Sequence, residues 1–229
     1  MLAPTVLYED NHLLVIDKPA GLTTQGALPS EPSAVEWARD YLKRKYAKPG
    51  NVFIGVVSRL DRDVSGVLVL ARTSKGAARL NEQFRDRTVR KSYWAVVEGS
   101  PPETLRCEDL IAEDEAAKRM VVVDPQLAAK HRTGDAQAAA LSFQRIRKIE
   151  GASLLEVELE TGRKHQIRVQ LAARGWPIVG DGKYGSRRRF GSGIALHARR
   201  LEIRHPTRDE SLAFEAKPPA SWASLGLGE

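Results

Sequence analysis

Short apolar runs broken by turn residues recur along the whole chain, and this punctuation restricts the fold more than any other feature. Val6–Tyr8 and Leu13–Ile16 read as strands around Asp10 and Asn11, and Ile54–Val57 and Val67–Ala71 as buried strands around a charged segment. Tyr93–Val97 ends at Gly99. Met120–Val123, Ala139–Ile149 and Leu154–Thr161 follow, the last two joined as a predicted hairpin through Glu150 and Gly151. Ile194–Ile203 and Leu212–Ala216 complete the set. Helical patterning is confined to three places. Ser33 and Glu36 have the spacing of a capping box and predict a helix to about Tyr46, stopped by Pro49 and Gly50. Thr73 and Ser74 can cap a second helix with Ala77, Leu80 and Phe84 on one face. Residues 163–174 predict a third, with Ile167 and Leu171 one turn apart and Gly175 as the stop. Strands that follow one another without an intervening helix pair antiparallel, so the expected class is α+β rather than doubly wound α/β. Residues 99–117 and 183–193 are expected to be loops. No repeat or break in composition divides the chain, and a single domain over 1–229 is expected.

Charge narrows the partner. The 229 residues carry 36 Lys and Arg against 29 Asp and Glu, a net +7. Residues 161–208 hold twelve cations and only two acids, Asp181 and Glu202, so this stretch alone exceeds the whole-chain surplus. Arg79, Arg85, Arg87, Arg90 and Lys91 form a second basic run, while acids gather between Glu103 and Glu115. Such asymmetry predicts a basic face for a polyanion, with nucleic acid as the leading class, and the preponderance of Arg suits phosphate and base contacts. A 42% hydrophobic content argues against disorder. The single Cys107 rules out an internal disulfide or a Cys-pair zinc site and fits a reducing compartment. No apolar run approaches a membrane span, and Glu9 and Asp10 come too early for a signal peptide, so a soluble cytoplasmic protein is expected.

Arg59-Leu60-Asp61-Arg62-Asp63 stands between two apolar strands. In an extended segment Arg59, Asp61 and Asp63 would point one way, and Leu60 and Arg62 the other. Neighbouring cations favour an ionised carboxylate at Asp61, which can serve as nucleophile or general base. From the pentapeptide alone a structural ion pair at a strand end is the better explanation, since charged strand ends are common. A magnesium site on Asp61 and Asp63, as in a nuclease, is disfavoured by Arg59 and Arg62, which repel a cation. The five His show no paired metal spacing, and the GxSxG elbow, the P-loop and the dinucleotide fingerprint are missing. Neither a metal nor a nucleotide cofactor is expected.

Beyond these local readings, RLDRDVSGVLVLART (Arg59–Thr73) resembles the catalytic motif of the RluA family of RNA pseudouridine synthases. The likeness extends along the chain. YEDNHLLVIDKPAGL (Tyr8–Leu22), KSYWAVVEG (Lys91–Gly99), TGRKHQIRVQLA (Thr161–Ala172), GDGKYG (Gly180–Gly185), LHARRLEIRHP (Leu196–Pro206) and FEAKPP (Phe214–Pro219) are similar to further motifs of that family, in the same order. Ser58 and Val64 stand where the family commonly has His and Thr, Thr23–Ala27 replaces VVHPG, and Gln170 takes the place of a His.

The resemblance implies a pseudouridine-synthase-like mixed, mainly antiparallel central sheet flanked by helices and loops, with a basic catalytic cleft. It implies Asp61 as the catalytic aspartate, Tyr93 as the ring packed on the target base, and Arg168 as the guanidinium paired with that aspartate. Ile167 would line the base pocket and Arg59 would help displace the base. Uridine isomerisation breaks the glycosidic bond, turns the uracil and rejoins it through carbon 5, so it needs a carboxylate beside the sugar and a dry pocket, but no cofactor. Arg62, Arg163, Lys164, Arg187, Arg188 and Arg189 are expected substrate contacts. The expected partner is structured ribosomal or transfer RNA, met by a monomer. The first motif begins by Val6, so an appended N-terminal RNA-binding domain is not expected. The alternative reading is a catalytically idle relative that binds RNA as an assembly or folding factor.

Overall fold

A computed structural model of the chain describes residues 3–26, 32–124 and 136–227. Ala27 and His131 lie outside them. In chain order the elements are β1 (Thr5–Glu9), β2 (Leu13–Lys18), α1 (Ala34–Lys45), β3 (Gly55–Val56), β4 (Ser65–Ala71), α2 (Ser74–Arg85), β5 (Arg90–Glu98), β6 (Thr104–Asp114), β7 (Arg119–Val123), β8 (Gln137–Ile149), β9 (Ala152–Leu159), α3 (Gln166–Ala173), β10 (Leu196–Arg204) and β11 (Ser211–Glu215). They form two compact units of interleaved sequence, Met1–Lys91 with His197–Ala220, and Ser92–Leu196 with Ser221–Glu229. No helix among the described residues is long and apolar enough to cross a membrane.

The first unit is built on β2 and β4, paired antiparallel from Leu13 opposite Ala71 to Lys18 opposite Gly66. Both strands are apolar on both faces, and the strand period of two sorts their side chains. Leu13, Val15, Val67, Val69 and Ala71 pack with Leu80 of α2 and with Leu201, Ile203 and Phe214 of β10 and β11. Leu14, Ile16, Leu68 and Leu70 pack on the other side with Ala34, Val35, Ala38 and Leu42 of α1. The helices start where their caps dictate: Ser33 Oγ accepts from Glu36 N at 3.3 Å and donates to its carboxylate at 2.8 Å, and Thr73 Oγ1 accepts from Gly76 N at 3.1 Å. The sheet is mixed because β10 joins β4 in parallel, with His197 opposite Ser65 and Ala198 opposite Gly66. The other strand pairs with a described register are antiparallel.

The second unit is an antiparallel sheet in the order β5, β9, β8, β6, β7. The predicted β8–β9 hairpin turns at Glu150 and Gly151, and Gly151 has a φ of +64°. Residues 99–117, expected as a loop, instead contain the eleven-residue β6. Its acidic side chains Glu108 and Glu113 are exposed, but Cys107 and Ile111 are fully buried, and β7 and β8 satisfy its backbone on both sides. α3 begins three residues later than predicted because His165 takes a left-handed conformation with φ 54°. Residues 183–193 hold no strand, in line with the loop expected there.

At the β1–β2 turn, Asp10 gathers five donors. Its carboxylate accepts from His12 N and Leu13 N, both at 2.8 Å, from Tyr8 Oη at 3.1 Å, and from His205 Nε2 and Arg208, both at 2.7 Å. Burial pushes the carboxyl up, but the bonds from His12, His205, Leu13 and Tyr8 outweigh it and hold the group at about 2, below its ordinary 3.8. Because the folded value lies below the unfolded one, this carboxylate stabilises the fold fully above about pH 4, and the contribution fades as pH falls through about 2. Asp10→Asn is expected to cost about 2 kcal/mol at neutral pH. It should also flatten the dependence of stability on pH between about 4 and 2. Urea unfolding across that range checks both effects, and a slope equal to that of the parent would refute them.

Candidate active site

Asp61 lies in the first unit, on the segment between β3 and β4. The segment is a loop closed by a turn at Arg62 and Asp63, in which Val64 N donates to Asp61 O at 3.2 Å, so the strand-like alternation expected for residues 59–63 is absent. Asp61 and Asp63 are half-buried, whereas Arg59 and Arg62 are exposed, and Arg62 pairs with Asp63 at 3.1 Å.

The backbone on either side of Asp61 is gripped by residues 18–24. Thr24 Oγ1 accepts from Leu60 N at 3.0 Å and donates to Leu60 O at 2.8 Å, so one hydroxyl imitates a strand partner. Gly21 N donates to Arg62 O at 2.8 Å. Lys18, whose side chain is 0% exposed, donates to Pro19 O at 2.9 Å, Leu22 O at 2.7 Å and Arg62 O at 3.3 Å, one acceptor for each ammonium proton. Burial lowers Lys18 from 10.5 to about 8, opposed by the charges of Asp61, Asp63 and Asp17. Asp17, half-buried beside it, is pushed up to about 6 by burial, against the opposing pull of Lys18 and a hydrogen bond from Gly66 N. At pH 7 the lysine is therefore a buried cation within electrostatic reach of Asp61. The sequence marks Lys18, with Gly21 and Gly66, as a turn or packing residue that could form the active-site floor, and carries no signal for Thr24 beyond its place beside the first family-like motif.

Below the loop, His197 is fully buried with its ring spanning β4 and the chain after β11. Nε2 donates to Ala216 O at 3.0 Å, which leaves Nδ1 to accept from Ser65 Oγ at 2.8 Å. Burial lowers this imidazole to about 4, so it is neutral at pH 7. The C-terminal segment thereby tethers the first residue of the strand that follows Asp61.

In the second unit, Tyr93 is half-buried on β5 opposite Val157 of β9, while Ile167 and Arg168 are buried at the start of α3. Arg168 is 5% exposed and Asp181 1%, and the two form a bidentate pair with contacts of 2.7 and 2.9 Å. The guanidinium also lies 5.0 Å from the ring centroid of Tyr184, whose hydroxyl accepts from Met120 N at 3.1 Å and bonds His165 Nδ1 at 2.8 Å. Removing one partner of such a buried pair costs about 3–5 kcal/mol, so the orientation of Arg168 is strongly enforced. The sequence did carry a signal for Asp181, as one of only two acids in the most basic stretch of the chain.

Local bonds explain why α3 starts at Gln166. Its Oε1 accepts from Thr161 Oγ1 at 2.7 Å and Arg163 N at 3.0 Å, and its Nε2 donates to Ala140 O at 3.0 Å. Gln170, which stands where the family has His, donates from Nε2 to Asp109 at 2.7 Å and to Ala139 O at 3.2 Å, while its buried Oε1 has no partner among the described residues. Arg163 and Lys164 are exposed, and Lys164 pairs with Glu113 at 2.5 Å. Arg187, Arg188 and Arg189 are exposed as well, but the backbone of their loop is fixed. Glu98 accepts from Ser186 Oγ at 2.6 Å, Arg187 N at 2.9 Å and Arg188 N at 3.1 Å. Among the described residues no group of His, Cys, Asp and Glu is arranged to hold a metal ion.

Known proteins resemble this chain in sequence and in fold. The family model for RNA pseudouridylate synthase matches residues 12–173. An uncharacterized RNA pseudouridine synthase of Bacillus subtilis is 34% identical over 96% of this chain and 70% of its own length. The ribosomal large subunit pseudouridine synthase C of Vibrio parahaemolyticus is 31% identical over 92% of this chain and 64% of its own. Among solved structures, human RNA pseudouridylate synthase domain containing 4 superposes with a TM-score of 0.78 at 28% identity, over 98% of this chain and 94% of that one. The chain belongs to the RNA pseudouridylate synthase family, and its reaction class is the isomerisation of uridine to pseudouridine within RNA.

Proposed function

We propose that this protein converts uridine to pseudouridine in structured RNA, with Asp61 as the catalytic carboxylate and ribosomal RNA as the substrate class. The observation that carries the assignment of Asp61 is the grip on its backbone: both flanking residues are tied by Thr24, Gly21 and Lys18, which is how a reacting group is held on a rigid support. Ribosomal RNA is supported by the name of the Vibrio relative. The family model runs across both compact units, which supports reading 1–229 as parts of one catalytic domain.

Tyr93, with Ile167 as an aliphatic wall, provides the stacking surface that a freed uracil needs to stay dry. Arg168, locked by Asp181, is the cation that orients the aspartate in the family motif. The target base must leave its stack, at a cost of a few kcal/mol that contacts from Arg59 and Arg62 and from the basic loop would offset. Mapping of pseudouridine in total RNA from cells with and without the gene tests the whole reading. One or more ribosomal sites should disappear on deletion, and an unchanged map would refute the activity. Bound RNA without any pseudouridine formed would instead identify an idle binding factor.

The grip on phosphate is proposed to lie with Arg163, Lys164, Arg187, Arg188 and Arg189. Replacing Arg187, Arg188 and Arg189 by Ala should weaken RNA binding and reduce the slope of log affinity against log salt by about 0.7–0.9 for each phosphate left without its cation. Titrations between low and high salt measure this, and an unchanged slope would remove the loop from the interface.

A further inference from the structure

The outer face of α1 and the connection to β3 carry a third concentration of cations, remote in sequence from residues 161–208 and from the run between Arg79 and Lys91. Between Arg39 and Lys48 stand five cations and one acid, Asp40. α1 buries Ala34, Val35, Ala38 and Leu42, so Arg39, Lys43, Arg44 and Lys45 face solvent, as does Lys48 beyond the helix. The nearest buried acid does not cancel them. Glu9, with a side chain only 7% exposed, is shared by Lys45 at 2.7 Å and Arg72 at 3.0 Å, so two cations meet one carboxylate. Lys43 and Lys48 have no acidic partner among the described residues.

One large aromatic side chain also stands exposed here, Tyr46 at 47%. Tyr46 is held in place. Its hydroxyl donates to Glu9 at 2.6 Å, and its ring has the guanidinium of Arg72 at 5.0 Å and the ammonium groups of Lys45 and Lys48 at 5.7 and 6.0 Å. An exposed ring whose rotamer is fixed loses little entropy on binding, and one ringed by cations suits a stacked base with its phosphate alongside. An acidic protein partner would use the charges but gives no reason for an exposed ring among them.

We propose that this face is an auxiliary RNA contact, in which Lys43, Arg44 and Lys48 meet phosphates and Tyr46 stacks an unpaired base outside the target nucleotide. The inference rests on the reading of the protein as an RNA-modifying enzyme and assigns part of its RNA grip to a segment outside the family motifs.

Two variants separate the charge from the ring: Lys43→Ala with Lys48→Ala, and Tyr46→Ser. Binding of deproteinised ribosomal RNA is measured across a salt series, alongside thermal melts and the pseudouridine formed. The double lysine variant is expected to reduce the salt slope by about 1–2. Tyr46→Ser is expected to weaken binding by roughly five- to hundredfold with the slope unchanged. Both should raise KM and leave kcat near that of the parent. Parental affinity and slope in both variants would overturn the proposal, as would an effect confined to a protein partner. If the parent itself neither binds nor modifies this RNA, the failure belongs to the proposed function. Melts matching the parent show that weaker binding does not come from a weakened fold, and a Tyr46→Phe variant that keeps parental binding confirms stacking.

Discussion

Asp61→Asn is expected to abolish pseudouridine formation and leave RNA binding near that of the parent. The substitution keeps the size and shape of the side chain and removes its charge. The bonds that hold the loop run to the backbone of Leu60 and Arg62, through Thr24, Gly21 and Lys18, and none of them uses the carboxylate. The variant should therefore keep these backbone bonds and lose the charge that acts at the sugar. A positioned acid or base contributes about 10²–10⁴-fold. A nucleophile would be missed still more severely. Tritium release from labelled RNA gives the rate and a filter-binding titration the affinity. Turnover at the parental rate would refute the role of Asp61, whichever step the carboxylate serves.

Gly66→Ala is expected to abolish folding. Gly66 has a φ of +113°, and a Cβ there would sit 2.2 Å from Ala198 O, 2.7 Å from Ala198 N and 2.8 Å from Ala198 C. These are backbone atoms of the strand that pairs with Gly66, so no side chain can swing away to relieve the clash. Either β10 separates from β4 or the turn into β4 deforms, and both events open the first core. The cost should exceed about 4 kcal/mol, enough to consume much of an ordinary domain's stability. Soluble yield and a thermal melt decide it: a soluble protein melting within a few degrees of the parent would show that the strands can part at little cost. Gly21, by contrast, has nothing within 4 Å of its notional Cβ, and its φ of +88° is the main penalty for an alanine there.

The fold was legible where burial follows a simple period. β2 and β4 are apolar on both faces, and their residues divide cleanly between two cores, as unbroken runs of Leu, Val and Ile require. β6 was not legible, because its inward positions are few and its outward ones acidic, so a half-buried strand looked like a solvated loop. The motif around Asp61 announced the residue but not its support. Thr24 and Lys18 reach it across 36 and 44 residues, and no local pattern encodes bonds of that separation. Arg168 looked like a solvated helix residue apart from its motif, since a bidentate acid on a distant turn is what allows its burial.

The interleaving of the two units bears on how the chain is made. His197 and Ala198 pair with Ser65 and Gly66, so the first unit closes only with a strand that leaves the ribosome more than a hundred residues after its partner. Until then the nascent chain holds β4 with the edge beyond its short pairing with β3 unsatisfied, the state in which strands recruit wrong neighbours. Synthesis halted before residue 197 would yield a product with neither the His197 tether nor the completed core beneath Asp61, and such a fragment is a substrate for chaperones and proteases rather than a slow enzyme.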